Sequence, residues 1–228
     1  MTDTEYRTTV AAAGVLFDMD GTLVDSTAVV ERTWRSFAGR HGLDIAQILA
    51  VSHGRRTEET VARFAPAGVD VDAEARRLVA QEVRDTEGIV AVPGAAQLLA
   101  ALPAGTWALV TSAGRALAEA RMVAAGLPLP PVVVSAEDVT AGKPSPEGYL
   151  LAAQRLGFAP EQAVVFEDAE AGLLAALASG ARTVVVGACA AAVTEGLDRL
   201  PDLRDIRVAH AAGQLWVSFS PARKHSRS

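Results

Sequence analysis

Cysteine is almost absent from the 228-residue chain: Cys189 stands alone. No disulfide can form within the chain and no cysteine cluster can hold a metal, which is compatible with a reducing compartment. A lone thiol of this kind reads as a small apolar core residue. A surplus of positive charge is missing too, since the formal net charge is −6. A broad basic face for nucleic acid is therefore not expected, and a small anionic ligand in a local basic pocket fits better. The longest nearly apolar stretch, Thr183 to Val193, is interrupted by Gly187. It falls short of the roughly 20 residues that a membrane-spanning helix needs, so no membrane partner is expected. Met1 to Thr9 is polar and carries Asp3 and Glu5, unlike the basic start and apolar core of a secretion signal. The expectation is a soluble, cytoplasmic protein, with a monomer favoured.

What the chain does have is hydrophobic mass: 50% of its residues, enough for a sizeable core. Its length allows one large domain, or one domain with a smaller one inserted. The stretch around which the rest is organised is Val15-Leu-Phe-Asp-Met-Asp-Gly-Thr-Leu-Val-Asp-Ser26. Val15 to Phe17 reads as a buried strand, and Asp18, Asp20 and Gly21 end it where the chain must turn. In open α/β sheets ligands bind outside the carboxyl ends of strands, so two carboxylates are delivered to such a crevice. One residue apart, they can divide labour: one attacks while the other handles protons, provided a cation keeps the attacker ionised.

Beyond that turn the hydrophobic period becomes helical. A helix over Thr27–His41 carries Val30, Trp34, Phe37 and His41 on one side, His41 being suited to the helix C-terminus. Helical patterns follow at Ile45 to Leu49, Glu58 to Phe64 and Asp72 to Thr86, the last with Leu78, Val79 and Val83 inward. From Val92 strands and helices alternate: strands at 107–110, 132–134, 163–166 and 183–186, and helices at 95–102, 114–125, 146–156 and 171–178. That alternation predicts an α/β fold, a doubly wound parallel sheet with helices on both faces. Residues 27–88 form an all-helical cap inserted into a core made of residues 1–26 and 89–228. Further strands are expected at 207–209 and 214–219, at an edge of the sheet, and the basic tail 221–228 is expected to be disordered.

Three more predicted strands end in residues suited to phosphate or metal: Thr111-Ser112 after the first, Gly142-Lys143-Pro144 in the loop after the second, and Glu167-Asp168 after the third. Taken singly each has a structural reading, as a helix cap, a surface lysine or an acidic helix start. Four strand ends of this kind in one sheet point to a common ligand.

These four signatures, in this order, make the chain resemble the capped phosphatase branch of the haloacid dehalogenase superfamily. The resemblance covers nearly the whole chain to about Val208 and implies a Rossmann-like core. By resemblance Asp18 attacks phosphorus to give an aspartyl-phosphate, and Asp20 is the acid and base. Thr111, Ser112 and Lys143 bind the phosphoryl group, and Mg²⁺ is held by Asp18, the Asp20 carbonyl, Glu167 and Asp168. Such a set suits phosphoryl transfer, which is mostly positioning and charge neutralisation.

Competing classes fit less well. A nucleotide-binding P-loop needs a Gly where Glu137 stands and a Ser or Thr where Pro144 stands. A dinucleotide-binding module lacks its Gly-x-Gly-x-x-Gly, and dehalogenation has no use for Asp20. A catalytically silent interaction protein and a β-phosphoglucomutase-like sugar phosphate mutase remain as alternatives, the mutase sharing every core signature. The segment Ser52-His53-Gly54-Arg55-Arg56-Thr57 is similar to the cap of glycerol-phosphate and 2-deoxyglucose-6-phosphate phosphatases. It implies hydrolysis of a small sugar or polyol phosphate, with His53 and Arg56 selecting it and Arg56 and Thr57 facing inward.

Overall fold

The computed structural model describes residues 8–211 and 214–220. The basic tail at 221–228 lies outside the described residues. Six parallel strands build the main sheet: β2 (Gly14–Phe17), β5 (Trp107–Val110), β6 (Val132–Val134), β7 (Ala163–Glu167), β8 (Arg182–Val186) and β9 (Asp198–Leu200). Their spatial order is β6-β5-β2-β7-β8-β9. β2, β5 and β7 are buried throughout. Covered on both faces, they read as apolar runs instead of alternating ones, β7 as far as Phe166. Helices α5 (Ala95–Ala101), α6 (Arg115–Ala124), α7 (Glu147–Leu156) and α8 (Glu170–Ala178) separate the strands.

The pleat of β2 divides its side chains between two cores. Val15 and Phe17 join one cluster with Leu98, Met122 and Phe166, whereas Leu16 joins Tyr149, Ala152 and Val165 in the other. Phe17 stacks on Phe166 at 5.4 Å and meets Trp107 edge-on. After β2 the chain moves outward through β5 and β6, then returns to the other side of β2 with β7. The carboxyl end of β2 therefore lies at a topological switch point, where a crevice opens.

The last two strands depart from expectation. β10 (Ile206–Ala211) and β11 (Gln214–Phe219) do not extend the parallel sheet. They form a separate antiparallel sheet with β1 (Thr8–Ala12), in the order β1-β11-β10. β11 alternates buried Leu215, Val217 and Phe219 with more exposed residues, as a sheet with one face on the core requires.

Between β3 (Val24–Asp25) and β4 (Val90–Ala91) stand four helices: α1 (Thr27–His41), α2 (Ile45–Ser52), α3 (Thr57–Phe64) and α4 (Val71–Arg84). Asp44 and Asp70 cap α2 and α4 by accepting the amides of Ala46 and Ala73. Gly42, in the left-handed region at φ 65°, ends α1. Trp34, Phe37, Ile48, Val61 and Leu78 form a hydrophobic cluster of this segment's own. Burial of a side chain such as Phe37 contributes about 1.5–3 kcal/mol. The buried stripe of α4 is Ala75, Leu78 and Glu82, with Val79 and Val83 only half-buried beside it. β3 and β4 pair antiparallel, Val24 with Ala91 and Asp25 with Val90, so the segment enters and leaves through one two-stranded ribbon.

Candidate functional site

Asp18 directly follows β2, with its carboxylate buried at the switch point. Lys143 reaches it from the loop between β6 and α7: its Nζ donates to Asp18 Oδ1 at 2.5 Å and to Glu167 Oε1 at 2.6 Å. Glu167, the last residue of β7, is wholly buried. Its Oε1 also accepts from the Tyr149 hydroxyl, and its Oε2 accepts the amides of Asp168 and Ala169. A Cβ on Gly172 would stand 1.5 Å from Glu167 Oε1, so only glycine leaves room for this carboxylate. The Thr22 hydroxyl donates to Asp168 Oδ1. Gly21 serves the same turn twice: its φ of 87° suits glycine, and a Cβ there would lie 2.0 Å from Asp168 Oδ2.

Asp18, Glu167 and Asp168 can each bring an oxygen within 4.8 Å of the others. One ammonium, Lys143, faces three carboxylates. Burial pushes the Asp18 carboxyl up to about 7 despite Lys143, with Glu167 and Asp20 adding to the rise. Burial, then the charges of Glu167 and Asp18, raises Asp168 well above the carboxylate range. Lys143 is raised as well, because Asp18 and Glu167 outweigh its burial. A buried cluster of hard oxygen donors with negative charge left over fits a divalent cation such as Mg²⁺. The four acceptor positions of Glu167 are already taken by Lys143, Tyr149 and two amides. Asp18 and Asp168 are the freer ligands.

A cavity of about 150 Å³ lies over this cluster, between the sheet edge and the helical segment. Asp18, Asp20, Thr111, Ser112 and Asp168 line its floor. Thr111 Oγ1 accepts the amide of Ala113, fixing the turn after β5, and Ser112 Oγ donates to the carbonyl of Gly54 across the cleft. Lys143 is adjacent through its bond to Asp18, and lines a second, smaller void that shares Thr111 and Ser112 with this cavity.

His53, Arg55 and Thr57 line the cavity from above, and Trp34 and Ser52 stand with them. Arg56 does not, which corrects the expected inward turn of that residue. Its Nη2 donates to the carbonyls of Ala136 and Val139 and its Nη1 to that of Thr140, so the guanidinium binds the turn after β6. The cause is local: three carbonyls converge there, and Gly142, lacking a Cβ, leaves space beside Arg56 Nε. Adjacent residues ahead of α3 diverge, and Arg55 takes the cavity side.

The sequence reading did not single out Glu82, Arg121 or Ser26 as functional residues. Arg121 Nη1 donates to Asp20 Oδ2 at 2.7 Å and its Nη2 to Glu82 Oε1 at 2.8 Å. Ser26 Oγ donates to Asp20 Oδ1 at 2.6 Å. The available signal was a charge inside an apolar stripe: Arg121 follows Leu117 and Ala118 on the buried side of α6, and Glu82 follows Leu78 by one turn.

A family model described as haloacid dehalogenase-like hydrolase matches residues 12–180. Hexitol phosphatase A of Escherichia coli is 45% identical over 213 residues, covering 91% of this chain and 95% of that protein. Glycerol-1-phosphate phosphohydrolase 2 of Saccharomyces cerevisiae is 35% identical over 180 residues, 74% of this chain and 72% of the relative. Among solved structures, a mutant of CbbY from Rhodobacter sphaeroides, in complex with xylulose-(1,5)bisphosphate, superposes with a TM-score of 0.70 at 28% identity. The alignment covers 85% of this chain and 95% of that one.

Proposed function

Since the chain belongs to the haloacid dehalogenase-like hydrolases and is a phosphatase, we propose that it hydrolyses phosphate esters of small sugars or polyols with Mg²⁺, through an aspartyl-phosphate. The observation that carries this reading is the placement of Asp18. It is buried at the switch point against Lys143 and flanked by Asp168, with Asp20 in the same cavity under the helical segment.

In this reading Asp18 Oδ attacks the phosphorus in line as the ester P–O bond breaks. Asp20 gives its proton to the departing alkoxide oxygen. It then takes a proton from the water that attacks the phosphorus of the acyl phosphate, freeing Asp18 and inorganic phosphate. Thr111, the main-chain amides near Ser112, and Lys143 hold the phosphoryl oxygens as charge builds on them. The metal's holders are Asp18, Asp168 and the Asp20 carbonyl, and Glu167 orients Lys143 and the Asp168 turn. When bound, the cation neutralises phosphoryl charge and keeps Asp18 ionised. Residues 27–88 act as a cap on the core, hinged at the β3–β4 ribbon, opening for substrate and closing against water. His53 and Arg55, at the cavity's upper wall, read the alcohol.

A screen of phosphate release tests the proposal, with Mg²⁺ and a panel of polyol, sugar and nucleotide monophosphates, each with and without a sugar bisphosphate. Preference for a polyol or sugar monophosphate without the bisphosphate is expected. Release that waits on the bisphosphate and gives an isomerised product would replace hydrolysis by a mutase reaction. No release from any ester would leave the silent interaction protein.

A further inference from the structure

Arg121 projects from the last turn of α6 with its side chain 5% exposed, and both ends of its guanidinium are committed to carboxylates. One belongs to Asp20 on the floor of the cavity. The other belongs to Glu82 on α4, in the helical segment, whose side chain is 6% exposed. The second oxygen of Asp20 is held by Ser26, one residue before α1. Both oxygens of Asp20 are thus restrained by groups at the entry of the helical segment or one ion pair away from it.

As a fastener between the segment and the sheet this arrangement is poor. Charges removed from water cost several kcal/mol each, and a buried ion pair is often no better than apolar residues of similar volume. Here two carboxylates share one guanidinium, and burial pushes the Glu82 carboxyl up to about 7 against the pull of Arg121. What such a network does supply is direction, because a planar guanidinium fixes each carboxylate that it bonds. Directional control is wanted at Asp20, which must face a departing oxygen and later a water.

On the reading of Asp20 as acid and base, we propose that Arg121 and Glu82 are positioning residues for it. The guanidinium aims the Asp20 carboxyl, and Glu82 aims the guanidinium, so that proton transfer is in working order only while α4 is seated on α6. Opening the helical segment withdraws Glu82, and Asp20 loses its orientation with it.

The test compares leaving groups. A polyol phosphate such as glycerol phosphate releases an alkoxide that needs a proton, whereas p-nitrophenolate leaves without one. In single turnover with Mg²⁺, Arg121→Met should slow alcohol release from glycerol phosphate by about 10²-fold or more, the scale of a lost acid. Glu82→Gln should slow it by about 10-fold. The p-nitrophenolate burst should stay within about 3-fold of wild type in both. In an Asp20→Asn background, Arg121→Met should add less than about 2-fold, as non-additivity requires of a residue that acts through another.

Equal slowing of both esters would overturn the proposal in favour of a general cap defect, and so would additive losses in the Asp20→Asn background. If Arg121→Met does not fold, Glu82→Gln carries the same comparison. A wild-type enzyme inactive on both esters would instead overturn the phosphatase reading, and this inference with it.

Discussion

Lys143 is where sequence, charge and packing meet most tightly. Its ammonium is buried between Asp18 and Glu167, and the Tyr149 ring lies 5.2 Å away. Replacing it by methionine keeps the length and removes the charge, leaving two carboxylates facing each other in the core. Breaking a buried pair in this way typically costs about 3–5 kcal/mol. A loss of that size is expected for Lys143→Met in urea denaturation of the metal-free protein, together with loss of turnover, and an unchanged midpoint would contradict the assigned pairing. Residues of this kind were legible because each stands at the end of a predicted strand or in the loop that follows it: the structure brings Asp18, Asp20, Thr111, Ser112, Lys143, Glu167 and Asp168 to one sheet edge. Arg121 and Glu82 were not, because inside a helix a functional charge differs from a surface charge only by burial. Sequence shows burial indirectly, through the apolar stripe that the charge interrupts.

The elements themselves follow from hydrophobic period. β5, β6 and α1 begin and end where the pattern places them. Where elements are missing from the sequence reading, the signal is too short or lies in the partner. β3 and β4 are two residues each, and β9 is three. β1, Thr-Thr-Val-Ala-Ala, carries no polar-apolar alternation, and only pairing with β11 makes it recognisable. The loop between α2 and α3 shows the other failure. Outside a helix or strand no period tells which of Arg55 and Arg56 faces inward, and three carbonyls at 136–140 decide it. The two arginines should then separate by substrate. Arg56→Ala loosens the loop that leads to Lys143, so kcat/KM should fall by a similar factor for a polyol phosphate and an aryl phosphate. Arg55→Ala should change the ratio of the two, at the polyol's expense. The reverse pattern would return Arg56 to the substrate.

At the scale of the whole molecule, one sheet edge and one helical segment share a cleft whose negative charge exceeds its positive charge. A cation that binds the folded cluster and not the unfolded chain must stabilise the fold. Mg²⁺ should raise the melting temperature of the chelator-treated protein, and Asp168→Asn should remove most of that increment. Equal increments in wild type and variant would place the metal elsewhere. In the proposed mechanism Asp18 becomes phosphorylated in turnover. The direct measurement is rapid acid quenching of enzyme mixed with Mg²⁺ and a polyol phosphate, followed by peptide mass analysis of the segment around Asp18. A transient phosphoryl group on Asp18 is expected, forming and decaying at rates that match turnover, and Asp18→Asn is expected to be inactive and to carry none. Sustained phosphate release with no phosphoryl group on Asp18, or full turnover by Asp18→Asn, would contradict the mechanism.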